Sequence, residues 1–381
     1  EVGMKRIAVI FGMAVLLLTG TWEVKVCAAD GGLTEEFLDE LELDEIDASF
    51  RELQENGGMR FTDAVKKLIQ GEVPMTGEGV RQLLKDTLLS QADGNRRTAV
   101  RIMLLLTVAG VFTNFISVFE KSQAASTGFY MMYLCLFTLL MQVFQMMQQI
   151  TMDALDRVIT FMELLMPSYF LASVFASGSV AGAGFYEVTL GVILIIQWIL
   201  KYAVMPAVNL YVLFCMVNHL TKEDYLSKLA EILKTFVEWM LKTLMAAALG
   251  FQTIQRLILP AVDSLKTAVL TKTAGAVPGI GNVFSGVTEV VLGSAVLIKN
   301  AVGAAGMIFL ALLCLVPLLI LGFGAVFYRL LAAIAQPVSD RRMVDCVGSV
   351  GEGLGLLMKV LLMVGALFFI SIAMAAASIG S

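Results

Sequence analysis

Apolar residues fall along this chain in long runs separated by short polar breaks. Runs at 99–119, 127–149, 157–177, 236–256, 303–333 and 354–378 each reach the ~20 residues that an α-helix needs to cross a bilayer. The stretch 185–218 is too long for one upright helix and carries Lys201 and Pro206 near its middle. Two forms fit it: one tilted, proline-kinked span, or two half-helices whose free ends need a protein or water-filled surround. Together these runs predict an all-α, polytopic membrane helix bundle of about seven spans over 99–381.

The N-terminal part follows a different pattern. Lys5 and Arg6 precede an apolar run from Ile7 to Leu18, and small residues surround Cys27, Ala28 and Ala29. That is the layout of a secretory signal peptide over 1–29, too short for a comfortable span, although a retained anchor is the other reading. Residues 30–98 hold 16 Asp and Glu against 8 Lys and Arg, a net of −8. Within them Leu38, Leu41, Ile46, Phe50 and Leu53 predict one amphipathic helix. Val65, Leu68 and Ile69 line a second before Gly71 and Pro74, and Val80, Leu83, Leu84, Thr87 and Leu88 a third. A small acidic helical module outside the cytosol is expected, its core thin enough to lean on the membrane domain or a partner.

Two connecting stretches stand apart. At 219–235, charged residues alternate with Leu220, Tyr225, Leu226, Leu229, Ile232 and Leu233, which suits an interfacial helix or a plain connector. At 259–302, Pro260, Pro278 and Gly275, Gly279, Gly281, Gly286 and Gly293 punctuate the chain, as a re-entrant or broken element would. The glycine spacing from Gly281 is P-loop-like, but Val287 stands where the phosphate lysine belongs. Orientation signals conflict. Arg96, Arg97 and Arg101 flank the first span on the side that the leader places outside, whereas Arg329, Arg341 and Arg342 favour a cytosolic 334–353 loop and an external C-terminus.

Composition agrees with the pattern. Of 381 residues, 58% are hydrophobic and 15% charged, and the mean hydropathy is +0.82, far from an ordinary soluble domain. Net charge is −5, and no basic cluster is large enough for nucleic acid. The five cysteines (Cys27, Cys135, Cys215, Cys314, Cys346) form no C-x-x-C pair, and His219 is the single histidine. A metal site, a cofactor or a histidine-dependent enzyme is therefore not expected.

In the C-terminal third, Pro278-Gly-Ile-Gly281-Asn, Leu292-Gly-Ser-Ala, Leu297-Ile-Lys-Asn-Ala-Val-Gly303, Tyr328-Arg-Leu-Leu-Ala-Ala and Gln336-Pro337, with Phe61 to Pro74 nearer the start, resemble the stage III sporulation protein AE family of endospore-forming bacteria. The resemblance implies an integral protein of the mother-cell membrane around the forespore. It also implies a place in a multi-protein channel joining the two cells and needed for continued forespore gene expression. Other stage III sporulation membrane proteins would be its partners, and a homo-oligomer is compatible. The alternative is a secondary transporter, suggested by Lys201 with Pro206 and by the glycine-rich element.

Ionisable residues at membrane depth carry the default functional claim: Glu163, Glu187, Lys201, Arg256, Glu289, Lys299 and Arg329. For Glu187, Arg256 and Arg329, snorkelling to the interface explains the charge. Lys299 and Asn300 suit either a polar interior or an interhelical anchor. On one helix Glu289 and Lys299 would share a side ~15 Å apart, too far to pair. Gly303 with Gly306 reads as close helix packing.

Overall fold

A computed structural model describes the backbone of residues 60–70, 97–111, 123–177, 180–220, 224–274 and 281–377, with isolated positions at 43, 46, 47, 81, 85, 87 and 89; the side chains of 123–126, 170, 174, 175, 177, 180–187, 190, 256–292 and 374–377 lie outside the described residues. The expected leader 1–29, most of the 30–98 module, and Gly275, Pro278 and Gly279 lie outside these residues. Everything described in regular structure is helical, in line with the all-α expectation. The helices are α1 (Phe61–Ile69), α2 (Gln123–Ser177), α3 (Val180–Ile199), a π-helical turn (Leu200–Val204), α4 (Met205–Asn218), α5 (Ser227–Ala274), α6 (Gly281–Ala335) and α7 (Arg341–Ala377). Residues 97–111 form a further helix.

Length corrects the sequence reading. The runs 127–149 and 157–177 lie on one uninterrupted helix of 55 residues, α2. Nothing at 150–156 breaks it, since Thr151, Asp153 and Asp156 are tolerable in a helix interior when their side chains are accommodated. Of the two forms open for 185–218, the structure takes the single helix. The chain passes from α3 through the π turn into α4 with helical φ and ψ throughout, so it is one helix and not two halves. Pro206 explains the wide turn: it offers no N–H and its ring crowds the carbonyl four residues back, and one extra residue per turn relieves both. At 259–302, α5 runs through Pro260 to Ala274 and α6 begins at Gly281. Gly286, Gly293 and Gly303 sit inside α6, while 275–280 lie outside the described residues.

Four described segments are long and apolar enough to cross a membrane: Thr127–Ser173, Gly191–Asn218, Gly293–Ala335 and Arg341–Ala373. Gly293–Ala335 has 43 residues, roughly 65 Å of helix at 1.5 Å per residue. That is about twice the hydrocarbon thickness of a bilayer.

The bundle is organised around α7, the most enclosed of these segments. α6 and α7 form an antiparallel hairpin joined at 336–340. Asp340 caps α7, its Oδ1 accepting from the Arg342 backbone N–H at 2.9 Å. Glycines set the approach: a Cβ on Gly351 would lie 3.0 Å from the Ala325 carbonyl oxygen, and one on Gly324 would lie 3.0 Å from Leu354 Cδ1. α2 runs antiparallel to α6, and α5 antiparallel to the α3–α4 rod. In that second pairing the Thr189 hydroxyl donates to Gln255 Oε1 at 2.7 Å, and Asn218 ties the connecting turn by accepting from the Leu226 N–H at 2.8 Å.

α1 shows how the acidic segment meets the bundle. Its apolar side buries Phe61, Ala64 and Val65. Phe61 stands edge-on to Phe161 of α2 at 6.2 Å and to Phe309 of α6 at 5.2 Å. Arg60, at the cap position, offers no side-chain cap. Asp47 supplies one from a distance: its buried carboxylate accepts from the Phe61 N–H at 2.5 Å, the Thr62 hydroxyl at 2.7 Å and Arg60 Nε at 3.1 Å. Asp47→Ala leaves those donors unsatisfied and is expected to destabilise the seating of α1 by about 2–3 kcal/mol. Amide hydrogen exchange at Phe61–Val65 measures it, and unchanged protection in the variant would contradict it.

Candidate functional site

The cross-helix contacts fix which residues share a level. Asp156 of α2 meets Lys201 of the π turn at 2.8 and 3.0 Å. The Tyr133 hydroxyl of α2 donates to the Met216 carbonyl of α4. α2 and the α3–α4 rod therefore run antiparallel, with residues 142–163 of α2 level with about 194–210 of the rod.

At that level the two elements present opposite chemistry. The outward-facing side chains of α2 are Gln142, Gln145, Gln149, Asp153, Asp156, Arg157, Thr160 and Glu163, with Met146 the one large apolar exception. The outward-facing side chains of the rod are Leu194, Ile195, Trp198, Tyr202, Pro206 and Leu210, all uncharged. The Trp198 and Tyr202 rings are 5.5 Å apart, and each residue is more than 60% exposed. The polar face of α2 follows helical spacing for 22 residues, roughly 32 Å. Gln149 Nε2 donates to Asp153 Oδ1 at 2.7 Å along it. Lys201 emerges beside it, widened outward by the π turn.

A second polar line runs along α7 where it faces α4 and α5. Ser349 meets His219 Nε2 at 3.2 Å. Glu352 Oε2 accepts from the Tyr211 hydroxyl at 2.7 Å and from Lys234 Nζ at 2.9 Å. Lys359 Nζ donates to Glu238 Oε1 at 2.8 Å. Gln252 Nε2 donates to Ser371 Oγ further on. Ser349, Glu352 and Lys359 recur near the helical period, so one edge of α7 carries them all. Burial holds the His219 ring below its ordinary titration range, against the pull of Asp345, Asp224 and Glu352.

The residues singled out in the sequence are spread, not assembled. Lys201 joins Asp156, and Pro206 is exposed in the first turn of α4. Lys299 is buried while Asn300 faces outward. By the α2–α6 register, in which Gly303 meets Tyr169, Lys299 lies about 16 residues, roughly 24 Å, from the level of Lys201. Gly303 packs against the Tyr169 ring, where a Cβ would approach Cε2 to 3.1 Å, so close packing is its role. Gly281 opens α6. The side chains of Glu289, Glu187 and Arg256 lie outside the described residues. Glu163 is exposed, a member of the α2 face. The remaining members of that face, Gln142 to Thr160, were not singled out. Their helical spacing is written in the sequence, but a search for unbroken apolar runs averages over faces and passes across it.

Fold and site together define a helical bundle of membrane character with an outward polar flank on α2 and an outward apolar flank on the α3–α4 rod. A family model described as stage III sporulation protein AE matches residues 59–379, and the chain belongs to that family. It is similar to the stage III sporulation protein AE of Bacillus subtilis (strain 168), at 22% identity over 97% of this chain and 96% of the relative. No solved structure matches.

Proposed function

We propose that this chain is a non-enzymatic membrane subunit of the channel complex linking mother cell and forespore, serving as platform or conduit for other stage III sporulation membrane proteins. The observation that carries the reading is the extent of the family match. Residues 59–379 take in all four apolar segments, so the family shares the bundle itself and not an attached domain. In this reading the mother-cell membrane around the forespore holds the bundle, and residues 30–98 project outside the cytosol. The spacing of two landmarks favours that arrangement. From Phe309, where α1 docks, to Ala335 at the α6 end is 26 residues, roughly 39 Å of helix. A bilayer of ~30 Å hydrocarbon fits between them, with α1 at one surface and the Arg341–Arg342 turn at the other.

The test is isolation of the tagged full-length chain from sporulating cells in mild detergent, with its companions identified by mass spectrometry. Other stage III membrane proteins are expected to co-isolate, and deletion is expected to abolish a late forespore reporter. A chain that purifies free of them, and that alone moves a solute into liposomes, would replace this reading with the transporter.

A further inference from the structure

The polar flank of α2 is nearly unbroken by apolar side chains and calls for its own surround, whereas the outward side of α5 mixes Lys228, Glu231, Thr235 and Lys242 with Leu229, Ile232, Phe236 and Trp239. Gln142, Gln145, Gln149, Asp153, Asp156, Arg157, Thr160 and Glu163 all face outward over roughly 32 Å, the full depth of a bilayer's hydrocarbon. Level with them, Ile195, Trp198, Tyr202 and Leu210 face outward on the α3–α4 rod and are suited to lipid. Ionisable groups at membrane depth face a bundle interior or a water-filled cavity, because acyl chains satisfy none of their hydrogen bonds. Within one copy this flank faces away from the bundle.

We propose that the Gln142–Glu163 face of α2 lines a water-filled conduit closed by several copies of this chain, with the π turn placing Lys201 at its edge against Asp156. The inference rests on the channel-subunit reading and adds the wall that reading lacks. The lining mixes amides, both signs of charge and a hydroxyl, which suits passage of hydrated polar solutes and disfavours strong capture of either ion sign. The same arrangement assigns the α3–α4 apolar stripe to the lipid side of each copy. It also accounts for α1, which docks at Phe161 on this same helix and presents Asp63, Lys66 and Lys67 outward at the end of the polar flank.

The test uses single cysteines introduced at Gln145, Gln149 and Thr160 on the flank, and at Ile195 and Leu210 on the apolar stripe, in the full-length chain in membranes of sporulating cells. The native cysteines, of which Cys135 is exposed, stay in place and are read separately as background. Membranes opened by freezing and thawing receive an anionic methanethiosulfonate, and labelling is read peptide by peptide. Because a thiol reacts as its thiolate, which forms in water and not in acyl chains, flank positions are expected to label on the order of tenfold or more faster than Ile195→Cys and Leu210→Cys. A bifunctional methanethiosulfonate on Gln149→Cys is expected to join copies of this chain. Flank positions as slow as Ile195→Cys would overturn the lining. Stripe positions as fast as the flank would overturn it too, since that length of bundle would then stand outside the bilayer. Crosslinks to a different protein alone would overturn closure by copies. Slow labelling in a chain that still co-isolates with stage III proteins sinks the lining and leaves the channel reading intact. Fast flank labelling in a chain that co-isolates with nothing sinks the channel reading and supports the water-filled face.

Discussion

Replacing Gly353 by alanine is expected to loosen the centre of the bundle. The added Cβ would fall 2.3 Å from Val212 Cγ2 on α4 and 2.9 Å from Phe144 Cε2 on α2. A β-branched side chain with little rotamer freedom stands on one side and an aromatic ring on the other, and both belong to packed helices. Overpacking at such a point costs about 2–3 kcal/mol, more than the gain from removing a helical glycine. Gly348 on the same helix has nothing within 4 Å of its Cβ position, so Gly348→Ala is expected to stabilise by about 0.5–1 kcal/mol through backbone entropy alone. Thermal midpoints of the two variants in detergent should move in opposite directions. Shifts of the same sign would mean that α7 does not sit in the wedge between α2 and α4.

The pair Lys359–Glu238 gives the second large expectation. Each side chain is about 30% exposed, with N and O 2.8 Å apart. Lys359→Glu places two carboxylates together, and Glu238→Lys places two ammonium groups together. Each single reversal is expected to cost about 1–2 kcal/mol, reduced from a fully buried pair by the water that reaches it. The double reversal should recover most of that, a coupling readable from thermal midpoints in a double-mutant cycle. Additive losses would show that α5 and α7 do not meet along this edge. The neighbouring Glu352, which Tyr211 and Lys234 both contact, belongs to the same seam, so the cycle reports on the docking of α5 as a whole.

The helical class was open to reading from the sequence because long apolar runs dominate it, and the stripe of Val65, Leu68 and Ile69 was enough to predict α1. Gly303 lies against the Tyr169 ring, a contact that the pairing of α2 with α6 creates and that glycine spacing alone does not name. The number of separate elements was harder. A polar residue inside a helix, such as Asp153 or Asp156, looks like a break when only run length is measured, so α2 was divided in two. Which face a residue takes also depends on register. Lys201 drew notice as a charge among apolar neighbours, but its partner lies 45 positions earlier, and nothing local to either residue specifies the antiparallel pairing that joins them. Lys299 has equally strong local credentials and lies at another level altogether. The polar flank of α2 is the opposite case: it is fully encoded by spacing, and is recovered by sorting outward from inward positions along one continuous helix.

The wide turn at Leu200–Val204 has a mechanical side. A π turn stores one residue beyond the α-helical count, and squeezing that residue out would swivel everything downstream by about 100° relative to everything upstream. Such a swivel would carry Leu210 off its flank and part Lys201 from Asp156, while each half of the rod stayed helical. The α3–α4 rod thus holds a built-in click-stop, which the crowding around Pro206 keeps engaged.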